Sequence, residues 1–202
     1  MDLRRAFDSV DREALWHKLF NLGISNKMMR IIMSKYSSCE FRVRMGDGRL
    51  TEPIASRSGV MQGDQLSALL FILFLNDLED HLKPLSNRYA PTFDGVTDVG
   101  SIWFADDICL LATSEIGARR MLESVNDFCE KWNLTINPSK TKMIEFRRKR
   151  KKAKGGIMRL KGNVIESVEA VQYLGLTFDK TGDWKMHINP VSYTHLTLPT
   201  KA

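Results

Sequence analysis

Two adjacent carboxylates, Asp106 and Asp107, stand in the string FADD at 104–107. Apolar runs at 102–104 and 108–111 flank them, and this pattern predicts two strands joined by a tight turn. Two negative charges held between apolar strands are costly unless a cation neutralises them. Carboxylate oxygens suit a hard divalent ion such as Mg²⁺, whose other positions water or a phosphate can fill. A solvated turn is the alternative, and the pair alone does not choose between the two.

Four further strings combine charged, amide or aromatic side chains with glycine or proline turns or apolar segments. They are DLRRAFDSV at 2–10, SGVMQGDQLSALLF at 58–71, WNLTINPSKTK at 132–142 and YLG at 173–175. Each has a plainer explanation when it is taken alone. Phe7 could be core, Asp8 and Asp11 helix caps, Gln62-Gly63 a turn and Lys140 a solvated cation.

The elements that must position these side chains are a mixture of helices and strands. Asp11 predicts the start of a helix that Gly23 ends, and Ser25 predicts the start of a second. The second helix has a predicted apolar stripe of Met28, Ile31, Ile32 and Tyr36. Alternation at 41–45, a turn at 46–48 and a return over 50–54 predict a β-hairpin.

The remaining elements follow the same reasoning. A very apolar segment predicts one helix from about 67 to 82, and Ser114 predicts the cap of a long helix. That helix has a predicted apolar face of Met121, Leu122, Val125, Phe128, Cys129 and Trp132. Further strands are predicted around 142–146, 164–165 and 173–178. The fold class expected from this mixture is α+β, with a mainly antiparallel sheet covered on one face by helices.

Composition limits the class of protein. The chain has 202 residues, 43% of them hydrophobic and 27% charged, which is typical of a globular domain rather than a disordered chain. The net charge is +6, and seven cations at 147–154 account for it, since the rest sums to −1. These cations are Arg147, Arg148, Lys149, Arg150, Lys151, Lys152 and Lys154.

The basic tract, residues 147–154, has three interpretations: phosphate contact, nuclear targeting or a solvated loop. Three cysteines without a C-x-x-C pair argue against structural zinc and for a reducing compartment. No apolar run is long enough to cross a bilayer, and no signal peptide is visible at the first residues. The expectation is an intracellular protein, nuclear or cytoplasmic, without a membrane partner.

Taken together and in this order, the five strings resemble the reverse transcriptase domain of non-LTR (LINE-type) retrotransposons. The resemblance runs from Asp2 to about Asp179, and five ordered motifs make it specific. It implies the palm of a right-hand polymerase, with a split βαβ-like, mainly antiparallel sheet and helices on one face. It also implies that Asp2 and Asp106 meet in space, which their spacing could not show.

The resemblance implies RNA-directed DNA synthesis, in which a nucleotidyl group passes from a dNTP to a primer 3′-hydroxyl. The implied partners are an RNA template, a DNA primer and the dNTP. Asp2, Asp106 and Asp107 match the catalytic aspartates, which implies that they hold two Mg²⁺ ions, with Mn²⁺ as a substitute.

Other positions match family motifs residue by residue. Phe7 matches the aromatic steric gate that selects deoxynucleotides, and Gln62 and Gly63 match the motif that contacts the incoming nucleotide and template. Lys140 matches the position proposed to protonate the leaving pyrophosphate. The primer-grip hairpin is matched by Tyr173, Leu174 and Gly175.

The chain departs from the family pattern in several places. Ala68 stands where the family usually has proline, a loss that should cost little at a first helical turn. Only Met1 precedes Asp2, where the family has a longer strand and a fingers region, and neither a thumb nor an endonuclease region is evident. The expected organisation is an incomplete palm at 1–179 and the start of a truncated downstream region at 180–190. Residues 191–202 back-translate into a string that resembles a transposase-type sequencing adapter, and are expected to be foreign.

Two rival hypotheses stay open. The chain could be a catalytically inactive remnant that at most binds nucleic acid, because fingers and thumb are missing. It could also be another two-metal palm, such as a nucleotide cyclase, although the Gln-Gly and Tyr-Leu-Gly strings count against this. Group II intron maturases and LTR-type reverse transcriptases are nearer relatives than cyclases.

Overall fold

A computed structural model of the chain describes residues 1–147 and 157–182. The chain divides into two compact units, Met1–Ile136 and Asn137–Ala202. The helices of the first unit are α1 (Arg12–Asn21), α2 (Asn26–Ser37), α3 (Gln65–Leu75), α4 (Asp77–Tyr89) and α5 (Glu115–Lys131). Its strands are β1 (Glu40–Phe41), β2 (Ile54–Ala55), β3 (Thr92–Phe93), β4 (Thr97–Asp98), β5 (Ser101–Phe104) and β6 (Asp107–Leu110).

Three helices begin where the sequence predicts. Asp11 accepts a hydrogen bond from the Ala14 amide at 3.0 Å, Ser25 caps α2, and Ser114 accepts from the Gly117 amide at 3.1 Å. Each cap satisfies one backbone N–H that has no partner inside the helix. These confirmed starts rest on contacts between residues three apart.

The predicted apolar stripe of α2 is partly wrong. Ile32 and Tyr36 are buried as expected, but Met28 is 50% exposed and Ile31 56% exposed. Met29 is buried in their place, so the core-facing residues stand at i, i+3 and i+7. The face is set by packing on α1, where the Tyr36 and Trp16 rings meet edge-on at 5.7 Å.

The single apolar helix predicted over 67–82 is two helices. Asp64 caps α3 by accepting from the Leu66 amide, so the helix starts earlier than expected. At Asn76 the backbone amide bonds the Leu73 carbonyl at 3.4 Å, three residues back instead of four. This tighter turn ends α3 and lets α4 begin with a new direction.

The strands of the first unit form three antiparallel ladders of two strands each within the described residues. β1 pairs with β2, and the Arg44–Leu50 bridge extends that hairpin as predicted. β3 pairs with β4, and β5 pairs with β6 around the FADD string. Antiparallel pairing is confirmed, but in small separate ladders rather than one wide sheet.

Helices α4 and α5 pack against each other, and α1 packs on α3. Leu78, Leu82, Met121 and Val125 are at most 1% exposed and form the centre of this core, and Ile108 of β6 is also completely buried. The predicted face of α5 is therefore confirmed for its helical members. None of the described helices combines the length and the apolarity needed to cross a bilayer.

The second unit consists of short strands in its described part. They are β7 (Lys142–Met143), β8 (Arg159–Leu160), β9 (Asn163–Val164), β10 (Glu166–Ser167), β11 (Ala170–Tyr173) and β12 (Leu176–Asp179). β8–β9 and β11–β12 are antiparallel hairpins, whereas β7 and β10 pair in parallel. The strand predicted over 142–146 is only two residues long because just Lys142 and Met143 have ladder partners.

Candidate active site

The start of the chain lies alongside β6. The Met1 amine donates to the Ile108 carbonyl at 2.6 Å, and the Ile108 amide donates to the Met1 carbonyl at 3.2 Å. Two residues that exchange both bonds are an antiparallel pair, and their neighbours lie opposite each other on the other face. Asp2 therefore lies opposite Asp107, whereas the predicted meeting of Asp2 with Asp106 stays a prediction.

The residues after Asp2 also pair with a second backbone segment, at 135–136. Leu3 forms an antiparallel bridge with Ile136, and the Arg4 amide donates to the Thr135 carbonyl at 2.8 Å. Leu3 and Ile136 are each 3% exposed. Because Leu3 points into the core, Asp2 points the other way, and its orientation follows from strand alternation.

Asp106 lies in the two-residue turn that joins β5 to β6. Phe104 pairs with Asp107 across the base of this turn, and Ala105 has a φ of +53°. A left-handed first position is typical of the tightest hairpins, where glycine is the unstrained choice. Asp106 is half-buried in the turn, and Asp107, the first residue of β6, is exposed.

Asp2, Asp106 and Asp107 together are called the carboxylate edge. Across the described ranges, no three acidic, imidazole or thiol side chains are grouped closely enough to hold a metal ion. The donors at the carboxylate edge are nevertheless all hard oxygens. Mg²⁺ is commonly held by one or two carboxylates together with water and substrate phosphate. The chemistry of the edge therefore fits Mg²⁺ shared with a substrate rather than a closed protein cage.

The buried groups beside the edge have shifted proton affinities. Burial lowers the pKa of the Met1 amine, while the thiol of Cys109 and the carboxylates of Asp107 and Asp2 oppose that shift. Burial raises the pKa of the Cys109 thiol, so this cysteine is not a thiolate nucleophile at neutral pH.

Phe7, the predicted steric gate, is half-buried between backbone and helix. Its ring stacks on Phe71 of α3, with centroids 5.0 Å apart and planes 17° apart. Its carbonyl accepts a hydrogen bond from the Val60 amide at 2.8 Å. The ring is therefore packed against α3, and the backbone of Phe7 is bonded to the segment that precedes Gln62. The steric-gate role stays a prediction.

Residues 56–64, here called the Gln-Gly loop, lie against the turn that carries Phe7. Gln62 donates to the Asp8 carboxylate at 3.2 Å, and Gly63 has a φ of +84°. Asp64 ends the loop, caps α3 and pairs with Lys35 of α2 at 2.5 Å. The hydrogen bond from Lys35 lowers the pKa of Asp64, which keeps the cap charged.

Gly59 explains how closely the loop approaches. Its φ is +76°, and a Cβ built there would lie 2.8 Å from both the Asp8 Cα and the Phe7 carbonyl oxygen. Its amide donates to the Val10 carbonyl at 2.8 Å. Only glycine leaves room for this contact, and no local sequence pattern indicated this close backbone approach.

Sequence reasoning also missed Arg12, which donates to the Gln-Gly loop from the first turn of α1. Asp8 was interpreted only as a helix cap, yet its carboxylate binds Gln62. No local pattern could reveal either role, because both partners are more than forty residues away in the sequence.

Lys140 and the hairpin at 173–175 belong to the second unit. Lys140 is exposed at the end of a turn in which the Asn137 carbonyl accepts from both the amide and the hydroxyl of Thr141, at 3.0 and 2.8 Å. Tyr173 pairs with Leu176, and the two residues between them, Leu174 and Gly175, both have positive φ. This is a type I′ pattern. The predicted hairpin is thus present, whereas the proton-donor and primer-grip roles stay predictions.

The basic tract is described only at Arg147. This residue is 19% exposed, its guanidinium pairs with Glu145, and its amide donates to the Lys180 carbonyl at 2.7 Å. The other predicted contact residues lie outside the described residues, namely Arg148, Lys149, Arg150, Lys151, Lys152 and Lys154. The segment at 191–202 lies outside them as well, and its foreign origin stays a prediction.

Several known proteins are similar to this chain in sequence. The chain is 30% identical over 189 residues to a "Retrovirus-related Pol polyprotein from type-1 retrotransposable element R2" of Popillia japonica, which covers 90% of this chain and 30% of that protein. It is 25% identical to an "RNA-directed DNA polymerase from mobile element jockey" of Drosophila funebris, over all of this chain and 21% of that protein. A "Probable RNA-directed DNA polymerase from transposon BS" of Drosophila melanogaster is 28% identical over 93% of this chain and 20% of its own length.

The chain thus spans between a fifth and a third of the length of these curated relatives. The family model described as reverse transcriptase (RNA-dependent DNA polymerase) matches residues 1–178, which is most of the chain. The resemblance to reverse transcriptases of non-LTR retrotransposons is confirmed by these relatives. This chain is therefore a member of the reverse transcriptase (RNA-dependent DNA polymerase) family.

Proposed function

We propose that this chain carries the nucleotidyl-transfer centre of an RNA-directed DNA polymerase, with the carboxylate edge as its catalytic group. The observation that carries the proposal is the reciprocal Met1–Ile108 pairing, which sets Asp2 opposite Asp107 beside the turn that holds Asp106. Family membership supports the reaction class. The substrates follow from that class: an RNA template, a DNA primer and a dNTP.

Asp2 and Asp106, with Asp107 beside them, are the residues that would hold two Mg²⁺ or Mn²⁺ ions. Such ions supply Lewis-acid activation of a primer 3′-hydroxyl and neutralise charge on the triphosphate and the leaving pyrophosphate. The protein's own contribution is to hold the carboxylates rigidly, which phosphoryl transfer requires more than it requires covalent chemistry. The buried neighbours Leu3 and Ile108 provide that rigidity.

The remaining residues recognise the nucleotide and the primer. The immobile ring of Phe7 would exclude a ribose 2′-hydroxyl, and Gln62 with Gly63 would contact the incoming nucleotide and the template. Lys140 would donate a proton to the leaving pyrophosphate. The tip of the β11–β12 hairpin, Tyr173 to Gly175, would hold the primer end. These four assignments rest on the family motifs, and the placement of Phe7 against Phe71 and Val60 supports the first of them.

Primer extension on an RNA template with Mg²⁺ and dNTPs tests the proposal, in the longest polypeptide of the element that contains this chain. Asp106→Asn should lower the extension rate at least about a hundredfold, because several kcal/mol of charge stabilisation depend on that carboxylate. Asp94→Asn is the matched control. Asp94 is an exposed turn residue with φ +53°, a conformation that asparagine also tolerates.

Undiminished extension by Asp106→Asn would refute the assignment of the carboxylate edge. Absence of extension by the unaltered polypeptide, with nucleic-acid binding retained, would favour the other hypothesis, that the chain at most binds nucleic acid.

A further inference from the structure

The Arg12 guanidinium makes five hydrogen bonds, four to the Gln-Gly loop and one to the last turn of α2. Nε donates to the Gly59 carbonyl at 2.9 Å, and Nη1 to the carbonyls of Ser56 at 2.5 Å and Tyr36 at 3.2 Å. Nη2 donates to the Ser56 hydroxyl at 2.8 Å and the Ser58 carbonyl at 3.2 Å. Every acceptor is uncharged, so Arg12 is bound to the loop backbone instead of a carboxylate.

The guanidinium also packs against the aromatic ring of Tyr36. Its carbon lies 5.0 Å from the ring centroid of Tyr36, a residue that is 2% exposed. The Tyr36 hydroxyl is 2.9 Å from the hydroxyl of Ser67, which is also buried and lies in the first turns of α3. The guanidinium therefore stacks on a ring that is itself tied to the helix following the Gln-Gly loop.

The bonds of Arg12 end where the contact with the Phe7 turn begins. Arg12 holds the carbonyls of residues 56, 58 and 59, and the next contacts are Gly59 amide to Val10 carbonyl and Val60 amide to Phe7 carbonyl. Gln62 follows two residues later and binds Asp8. Arg12 thus holds the first part of the Gln-Gly loop, directly before the residues that contact the Phe7 turn.

We propose that Arg12 is a positioning residue that holds the Gln-Gly loop on the Phe7 turn and so forms the nucleotide side of the site. The identity of the substrate, a dNTP, rests on the proposed function. The role of Arg12 in holding the loop does not depend on that function. Lysine cannot replace arginine here, because an ammonium has three donors around one point and cannot span carbonyls that the planar fork reaches on several sides.

The first measurement is hydrogen exchange in the complete polypeptide, at the Gly59 and Val60 amides. Arg12→Gln should speed their exchange at least tenfold, and Arg12→Lys should speed it by less. Arg120→Gln, an exposed arginine on α5, should leave both amides unchanged. If Arg12→Gln does not fold, as circular dichroism would show, Arg12→Lys carries the same measurement. Unchanged exchange in a folded variant would overturn the proposal.

The second measurement separates positioning from catalysis. In primer extension, Arg12→Gln should raise the KM for dNTP about tenfold and change kcat by less than about threefold, because the carboxylate edge is untouched. A loss of about tenfold in kcat, with an unchanged KM for dNTP, would contradict a positioning role. Lack of extension by the unaltered protein would contradict the proposed function alone, since the exchange measurement reports on Arg12 without any substrate.

Discussion

At the scale of single residues, the candidate site depends on a glycine at which two backbone segments lie in close contact. Gly59 has both a positive φ and no space for a Cβ, since backbone atoms of Phe7 and Asp8 lie within 2.9 Å of where that Cβ would stand. Backbone atoms cannot rotate away as a flexible side chain could. The contact between the Gln-Gly loop and the Phe7 turn is therefore intolerant of any side chain at this residue.

Gly59→Ala should reduce the free energy of unfolding by about 2–4 kcal/mol. About 1–2 kcal/mol of this comes from the left-handed backbone and the rest from the forced separation of the two segments. Gly48→Ala is the matched control, because Gly48 has a φ of +85° but nothing within 4 Å of its added Cβ. Urea unfolding of both variants measures the difference. Equal losses would show that the contact at Gly59 contributes nothing beyond its backbone conformation.

At the scale of elements, a buried amine joins four helices. Lys18 of α1 is 7% exposed, donates to the Phe74 carbonyl at 2.6 Å and pairs with Asp77 of α4. Its Nζ lies 3.8 Å from the ring centroid of Trp132, just beyond α5, and 4.8 Å from that of Phe74 in α3. The amine therefore lies beside the junction between α3 and α4.

Burial lowers the pKa of Lys18 from its usual 10.5, while the hydrogen bond and the charge of Asp77 oppose that shift. Between the lowered pKa and 10.5 the unfolded chain binds more protons than the folded chain, so stability rises with pH in this window. Lys18→Met should remove this contribution. Relative to the variant, the unaltered chain should therefore gain stability as pH rises from 7 towards 10.5.

Replacing a buried ionic group with an apolar one of similar size is often neutral or stabilising. At pH 7 the Lys18→Met chain should accordingly be as stable as the unaltered chain or up to about 2 kcal/mol more stable. Lys83→Met serves as the control, because Lys83 is an exposed lysine of α4. A pH dependence of stability that is the same in all three proteins would contradict a lowered pKa for Lys18.

At the scale of the whole molecule, the charge is concentrated in one segment. The chain carries +6, and the basic tract holds seven cations, so the rest of the protein is close to neutral. Arg147 pairs with Glu145, and its side chain is 19% exposed. If the remaining cations contact phosphates, the tract should control how salt weakens nucleic-acid binding.

Replacing the six cations at 148–154 with glutamine should flatten the slope of log K against log salt by about 3 or more for single-stranded RNA. Each lost phosphate contact contributes about 0.7 to that slope. The control variant loses the same number of positive charges in the first unit. Its six replaced residues are exposed cations, namely Lys27, Arg30, Lys83, Arg88, Arg120 and Lys131. An unaltered slope after the change at 148–154 would leave targeting or a solvated loop as the role of the tract.

The sequence alone determined the features that depend on near neighbours or on recognisable strings. The caps at Asp11, Ser25 and Ser114 are three-residue contacts, and the residues needed to predict them are adjacent in the chain. The ordered motifs were enough to identify the family. Periodicity was a weaker guide. It predicted the helix α2 correctly but assigned part of its buried face to the wrong residues. The partner helix decides which of two apolar stripes is covered.

The tertiary structure alone decided how the distant strings meet. The pairing of Met1 with Ile108, which brings Asp2 to Asp107, is a backbone contact that no side-chain pattern encodes. The five bonds of Arg12 go to uncharged groups that every residue or many residues possess, so no complementary residue marks them in the sequence. Local hydrogen bonds can be predicted from spacing because the chain itself limits the distance. Contacts across the fold cannot, because only packing brings their partners within reach.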